Sequence, residues 1–197
     1  MKKFIVLLFC ILFSSCRTPG VSTSAYLSPH FSEYKIFRVV VFPFQLHGKS
    51  EQHNITSLFG EALQHQQKFE VVIASAAQVR QMQLSLSRSD QLLPANDIIK
   101  ASRVFQAQAI IRGRVTTYQD LPCKLGLKVD LIAAHDGHVL WSADGIFVDE
   151  EFFSTTPGKG NRLRNISPQS FIRHSCLQLT KSLHHSNIFH KAENMIR

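Results

Sequence analysis

LKVDLIAAHDGHVLWSA, residues Leu127–Ala143, carries the reading of the fold. Leu125, Leu127, Val129 and Leu131 take every second position, with Lys128 and Asp130 between them. Successive side chains of a strand point to opposite faces, so this spacing predicts a strand with one apolar and one polar face. His135, Asp136 and Gly137 then make a tight-turn signal, because Asp bonds its neighbouring backbone and Gly adopts conformations closed to other residues. HVLWSADGIFVD (His138–Asp149) returns as the partner strand, with Trp141 expected in the core. Upstream, AIIRGRVTTY (Ala109–Tyr118) alternates after Ile111 and adds a third strand to the antiparallel meander.

Further towards the N-terminus, RVVVFPF (Arg38–Phe44) has no polar alternation, the pattern of a strand covered on both faces. Pro43 cannot donate to a ladder, so regular pairing should end near Phe42. Ile55, Leu58, Phe59, Ala62 and Leu63 follow helical spacing behind Asn54, a candidate N-cap. FEVVIA (Phe69–Ala74) reads as a strand and Ala76 to about Leu84 as a helix. Another helix should run from Asp97 as N-cap to Phe105, with Ile98, Ile99, Ala101, Val104 and Phe105 as its apolar stripe. After a loop holding Pro157, Gly158 and Gly160, Ser167 and Pro168 open a final helix with Phe171, Ile172, Ser175, Leu179 and Leu183 along one side. The order β-α-β-α-α-β-β-β-α predicts a single α/β domain over residues 35–185, a mixed sheet of about five strands covered by helices. Residues 186–197 form a C-terminal tail.

The chain starts differently. Lys2 and Lys3 precede an apolar run from Phe4 to Phe13, half the ~20 residues a membrane-spanning helix needs. With Ser14 and Ser15 after it, the pattern is that of a secretory signal peptide over residues 1–15. The small pair directly before Cys16 resembles the bacterial lipobox, which implies diacylglycerol on the Cys16 thiol and cleavage before it. An ordinary secretory signal cut nearby is the alternative. Cys10 leaves with the signal in either case. Residues 16–34, rich in Ser, Thr and Pro, suit a flexible lipidated tether. A residue other than Asp at position 17 implies sorting to the outer membrane, facing the periplasm.

Charge is unevenly distributed. Arg17–Glu151 holds 13 Lys and Arg against 13 Asp and Glu, whereas Phe152–Arg197 holds seven basic residues against Glu193 alone. Arg162, Arg164, Arg173 and Lys181 are the candidates for a basic tail that meets anionic lipid, an acidic protein or an envelope polymer rather than nucleic acid. A solvated basic face is the competing reading. Chemistry is otherwise sparse. Asp149, Glu150 and Glu151 are adjacent and so point apart on a strand. PGKGN (Pro157–Asn161) lacks the first Gly and the Ser or Thr of a phosphate loop. His174, His184, His185 and His190 do not show metal-ligand spacing, and no cofactor is expected. Cys123 and Cys176 are a candidate disulfide pair or two buried thiols; distance decides between them.

RVVVFPF, FEVV, AQAIIRGRVTTY and above all LKVDLIAAHDGHVLWSA resemble the family that includes the TolB N-terminal domain, the lipoprotein activators of penicillin-binding proteins and the curli-secretion channel subunit. Matching positions are the Pro43-Phe44 pair, Gly113 and Val115, then Gly137, Val139, Leu140, Trp141 and Ser142; Ala133 stands where Asp is frequent. These are fold residues. The resemblance implies a lipid-anchored envelope protein acting as a non-enzymatic interaction or assembly module, bound to the membrane through its lipid and to an envelope protein partner. A component of a secretion or transport system is the alternative, and an enzyme a third class for which no convergent polar site can be assembled. Transmembrane strand pairs of about 9–11 residues each would mark a channel, and no such insertion is present.

Overall fold

Alternation along the meander closes into paired strands in the computed structural model, which describes residues 21–46, 54–84, 93–120, 123–148 and 167–193. The strands are β1 (Ser22–Leu27), β2 (Arg38–Val41), β3 (Glu70–Ile73), β4 (Ala109–Gln119), β5 (Lys124–Ala133) and β6 (Val139–Val148). Helices α1 (Ile55–Gln64), α2 (Ala76–Gln81), α3 (Ala95–Phe105) and α4 (Pro168–Glu193) join them. One mixed sheet runs in the order β1-β6-β5-β4-β2-β3. β2 is parallel to both β3 and β4, while β4, β5, β6 and β1 are antiparallel in turn.

Each element forms for the local reason its residues supply. The Asn54 side chain accepts from the Ser57 N–H at 3.3 Å and caps α1. Ser75 and Gln78 exchange hydrogen bonds in a capping box at the start of α2. Ser167 Oγ accepts from the Ser170 N–H at 3.2 Å and caps α4. At the β5–β6 turn Gly137 takes φ +75°, its N–H reaching the Ala133 carbonyl at 3.0 Å. Pro43 ends β2 as its missing donor requires, yet the chain stays against β4: the Gln45 N–H reaches the Gly113 carbonyl at 3.0 Å. That path lays the Phe44 ring directly on Gly113, where a Cβ would sit 2.3 Å from the ring. The Pro-Phe pair and the strand glycine of the sequence motif are therefore two halves of one contact.

The sheet separates two cores. On one face α1 and α4 bury Phe59, Leu63, Ile172, Cys176, Leu179 and Leu183 against Val39, Val41, Leu125, Leu127, Val129, Leu131 and Trp141. Trp141 is fully buried, and its indole N–H donates to Ser182 Oγ at 3.3 Å. On the other face α2 and α3 cover Val40, Phe42, Ile110 and Ile132 with Val79, Ile98, Ala101 and Phe105. On β4 and β5 that second core stops at Ile110 and Ile132.

Four expectations change. The sheet has six strands rather than about five: Ser22–Leu27, assigned to a flexible tether, pairs along its whole length with β6 from Ser22 opposite Ile146 to Leu27 opposite Trp141. STSAYL has no apolar alternation because five of its six residues are exposed; its ladder is made by backbone groups. α3 begins at Ala95, so Asp97 lies in its first turn, where a carboxylate suits the helix dipole. Ile99 and Val104 are 43% and 59% exposed, because the covered stripe of α3 is only Ile98, Ala101 and Phe105. On α4, Ile172 and Cys176 are fully buried, whereas Phe171 is only partly so.

Candidate functional site

The half of the second face beyond Ile110 and Ile132 is a polar surface formed by β4, β5, β6 and β1. Its register aligns side chains in rows across the strands. Arg112 on β4, Asp130 on β5, Ser142 on β6 and Tyr26 on β1 make one row; Arg114, Lys128, Asp144 and Ser24 make the next. Alternate residues of the same strands fill the opposite core, which fixes the direction of these.

Within the first row Arg112 lies 3.4 Å from Asp130 Oδ2, and Ser142 Oγ donates to Asp130 Oδ1 at 2.7 Å. The Arg112 and Asp130 side chains are only 18% and 15% exposed, so this link is partly shielded from water. In the second row Lys128 faces Asp144 directly. Opposite charges in such cross-strand positions contribute about 0.2–1 kcal/mol each. The third row thins out: Gly126 has no side chain, and a Cβ there would lie 2.3 Å from Thr116 Oγ1 at the β4 bulge. Ile146 and Tyr26, 40% and 54% exposed, give the β6–β1 margin apolar contact area. The result is a face of mixed charge, with Arg114 and Lys128 side by side and Asp130 and Asp144 as the acids, and an aromatic edge at Tyr26. Such a face suits contact with another macromolecule. A depression of about 330 Å³ lies elsewhere, lined by Glu61, Gln64, His65 and Gln67 near the end of α1.

A second polar cluster sits at the β5–β6 turn. Tyr34 donates its hydroxyl to Asp136 Oδ2 at 2.6 Å, and the His138 N–H donates to Asp136 Oδ1 at 3.0 Å. The hydrogen bond to Asp136 pushes the Tyr34 hydroxyl above its ordinary pKa. Burial pushes the Asp136 carboxyl up, but the bonds from Tyr34 and His138 outweigh it and hold it below its usual value. His138 is 74% exposed. The cluster ties the segment before β2 to the turn, an arrangement that orders the chain.

The sequence-selected residues are not brought together. Arg173 on α4 lies 3.0 Å from Glu61 on α1 and ties the two helices; Lys181, further along α4, is exposed. Cys16, Arg162 and Arg164 lie outside the described residues, as do Asp149–Glu151 and Pro157–Asn161. Cys123 and Cys176 are both buried and not joined in a disulfide, which leaves the alternative of two buried thiols. Cys123 Sγ donates to the Asp120 carbonyl at 3.1 Å, and burial pushes the Cys176 thiol up to about 12. Among the described residues no group of three or more His, Cys, Asp or Glu could hold a metal ion, and no helix is long and apolar enough to cross a membrane. Sequence reading missed Tyr26, Asp144 and Ile146 as surface residues. The polar alternation of Arg112, Arg114, Lys128 and Asp130 was visible, but Tyr26 carried no signal.

No family model and no curated protein sequence matches this chain. A solved structure shares its fold, and others are similar to it more distantly. The PelC dodecamer from Paraburkholderia phytofirmans is 15% identical over 83% of this chain and 94% of that one, with a TM-score of 0.52. Lipoprotein GNA1162 from Neisseria meningitidis is 14% identical over 81% of this chain and 99% of that one, at a TM-score of 0.41. The LpoB C-terminal domain from Escherichia coli is 19% identical over 61% and 94%, at 0.39.

Proposed function

We propose that this chain is a lipid-anchored cell-envelope protein, held by Cys16 and facing the periplasm, that works as a non-enzymatic docking module for an envelope protein. The observation that carries the reading is the half of the sheet's second face that α2 and α3 leave uncovered. Its rows of opposite charge, Arg112 with Asp130 and Lys128 with Asp144, offer both signs to a partner, and Tyr26 with Ile146 supplies the exposed apolar area that interface centres use. A partner of mixed surface charge matches such rows better than a polymer of one sign. The secretory pattern of residues 1–16 supports the compartment and the anchor.

Two experiments test the two parts. Cys16→Ala should release the protein from membranes without unfolding it, because the anchor and the domain are separate; sedimentation with membranes after a high-salt wash would overturn the anchor. For the face, a photo-crosslinking residue at position 26 in intact envelopes should give one discrete adduct, absent from position 99 and lost on Asp144→Arg. Equal adducts from positions 26 and 99, or insensitivity to Asp144→Arg, would remove the face from the reading. An adduct of twice the chain mass would identify the partner as a second copy, the kind of assembly named for the PelC structure. The basic excess of residues 152–197 adds long-range attraction in this reading. Reversing Arg162 and Arg164 to Glu changes it from +6 to +2 and should weaken binding to anionic vesicles at low salt. Equal binding by parent and double variant would leave those residues as a solvated face.

A further inference from the structure

We infer that β1 fixes which end of the domain meets the lipid surface: the end bearing the β4–β5 turn and the start of α4 faces the membrane, and the β5–β6 turn faces away. The inference rests on the reading of Cys16 as the lipid attachment, and takes that reading from a tether to an orientation.

β1 starts at Ser22, opposite Ile146 near the close of β6. Lys124 at the start of β5 pairs with Val148, and Gln119 at the close of β4 pairs with Lys124, so all of these share one end of the sheet. α4 starts there too. A Cβ on Gly145 would contact Leu179, and Trp141 bonds Ser182, so α4 runs antiparallel to β6. At the opposite end are the turn at Asp136–His138 and Tyr34, which bonds it.

Chain length then decides between orientations. With β1 formed, six residue steps join Cys16 to Ser22, which span at most ~20 Å when fully stretched. From Ile146, beside Ser22, to the far end of β6 is seven residue steps, ~23 Å of strand before the turn is added. An inverted domain, resting on its β5–β6 turn, would lift Ser22 further from the lipid than the spacer reaches. A tether running to Tyr34, 18 residues and ~60 Å when extended, would have allowed either orientation. The described surface at the near end fits a headgroup layer: Gln119, Gln169 and Ser170 are exposed and uncharged, Lys124 is half-buried, and the Asp120 carboxylate already accepts the Tyr118 hydroxyl at 2.9 Å.

The test uses the full-length lipidated protein in vesicles containing a nitroxide-headgroup lipid. A fluorophore on Gln119→Cys reports the near end and one on His135→Cys the far end; Cys123 and Cys176 are buried and should not label. Quenching of the Gln119→Cys label should exceed that of the His135→Cys label several-fold. A twelve-residue Gly-Ser insertion after Thr18 should bring the two to within about twofold. Equal quenching without the insertion, or stronger quenching at position 135, would overturn the orientation while flotation with the vesicles leaves the anchor intact. Failure of the unlabelled parent to float would overturn the anchor and, with it, this inference.

Discussion

Gly113→Ala tests the packing of the first helix layer on the sheet at its tightest contact. A Cβ on Gly113 would lie 2.3–2.5 Å from Cζ, Cε1 and Cε2 of Phe44, where ordinary contact is 3.4–4 Å. Phe44 has little room to yield. It is 5% exposed, its ring centroid is 5.1 Å from that of Phe59, and its N–H donates to Thr56 Oγ1 at 2.9 Å. Overfilling a packed core costs about 1–3 kcal/mol, whereas removing a glycine from a strand interior returns about 0.5–1 kcal/mol. The net expectation is a loss of about 1–2 kcal/mol, or ~2–8 °C in Tm for a domain of this size. Phe44→Ala alone should cost about 3–5 kcal/mol through the cavity it leaves. In that background the added methyl group meets empty space, so Gly113→Ala should become neutral or stabilising, a coupling of about 1–3 kcal/mol. Urea unfolding of parent, both single variants and the double variant, all lacking residues 1–16, measures it. If Gly113→Ala costs the same with and without the Phe44 ring, the ring does not lie on the glycine and the path of the chain after Pro43 is wrong.

The other predictions concern α4, the thiols and the turn cluster. Ile172→Ala removes a fully buried side chain and should cost about 2–5 kcal/mol, while Arg173→Ala breaks a pair whose side chains are 60% and 55% exposed and should cost under about 1 kcal/mol; equal melting temperatures for the two variants would mean that α4 is not docked as described. Cys176, with its thiol pushed up to about 12 by burial, should resist alkylation at pH 8 in the folded protein and react at once in denaturant, so rapid native-state alkylation confirmed by peptide mapping would refute its burial. Because Asp136 is held below its ordinary pKa in the fold, the stabilisation it provides is present above that ordinary value and fades as pH falls through the folded one. Tyr34→Phe removes the 2.6 Å hydrogen bond and should raise the Asp136 value in a carboxyl NMR titration; an unchanged titration would show that the bond does not form in solution.

The amino-acid sequence by itself determined the elements from Arg38 to Leu183, because each of them writes its burial into its own period. Leu125, Leu127, Val129 and Leu131 alternate since one side of β5 is core and the other is not. Arg38–Val41 does not alternate since α1 and α4 lie below it and α2 and α3 above. Caps at Asn54, Ser75 and Ser167 are similarly local, each a side chain answering a backbone N–H three residues on. β1 could not be read in this way: an exposed edge strand is held by backbone hydrogen bonds to β6, and backbone groups are the same in every sequence. The candidate face was half legible. Arg112, Arg114, Lys128 and Asp130 were recognisable as the polar side of two strands, but a polar side does not say whether a helix covers it. Only the tertiary structure decided that, by ending the α2–α3 layer at Ile110 and Ile132 and setting Tyr26 of β1 beside Ser142, more than a hundred positions away, arrangements that no local period records.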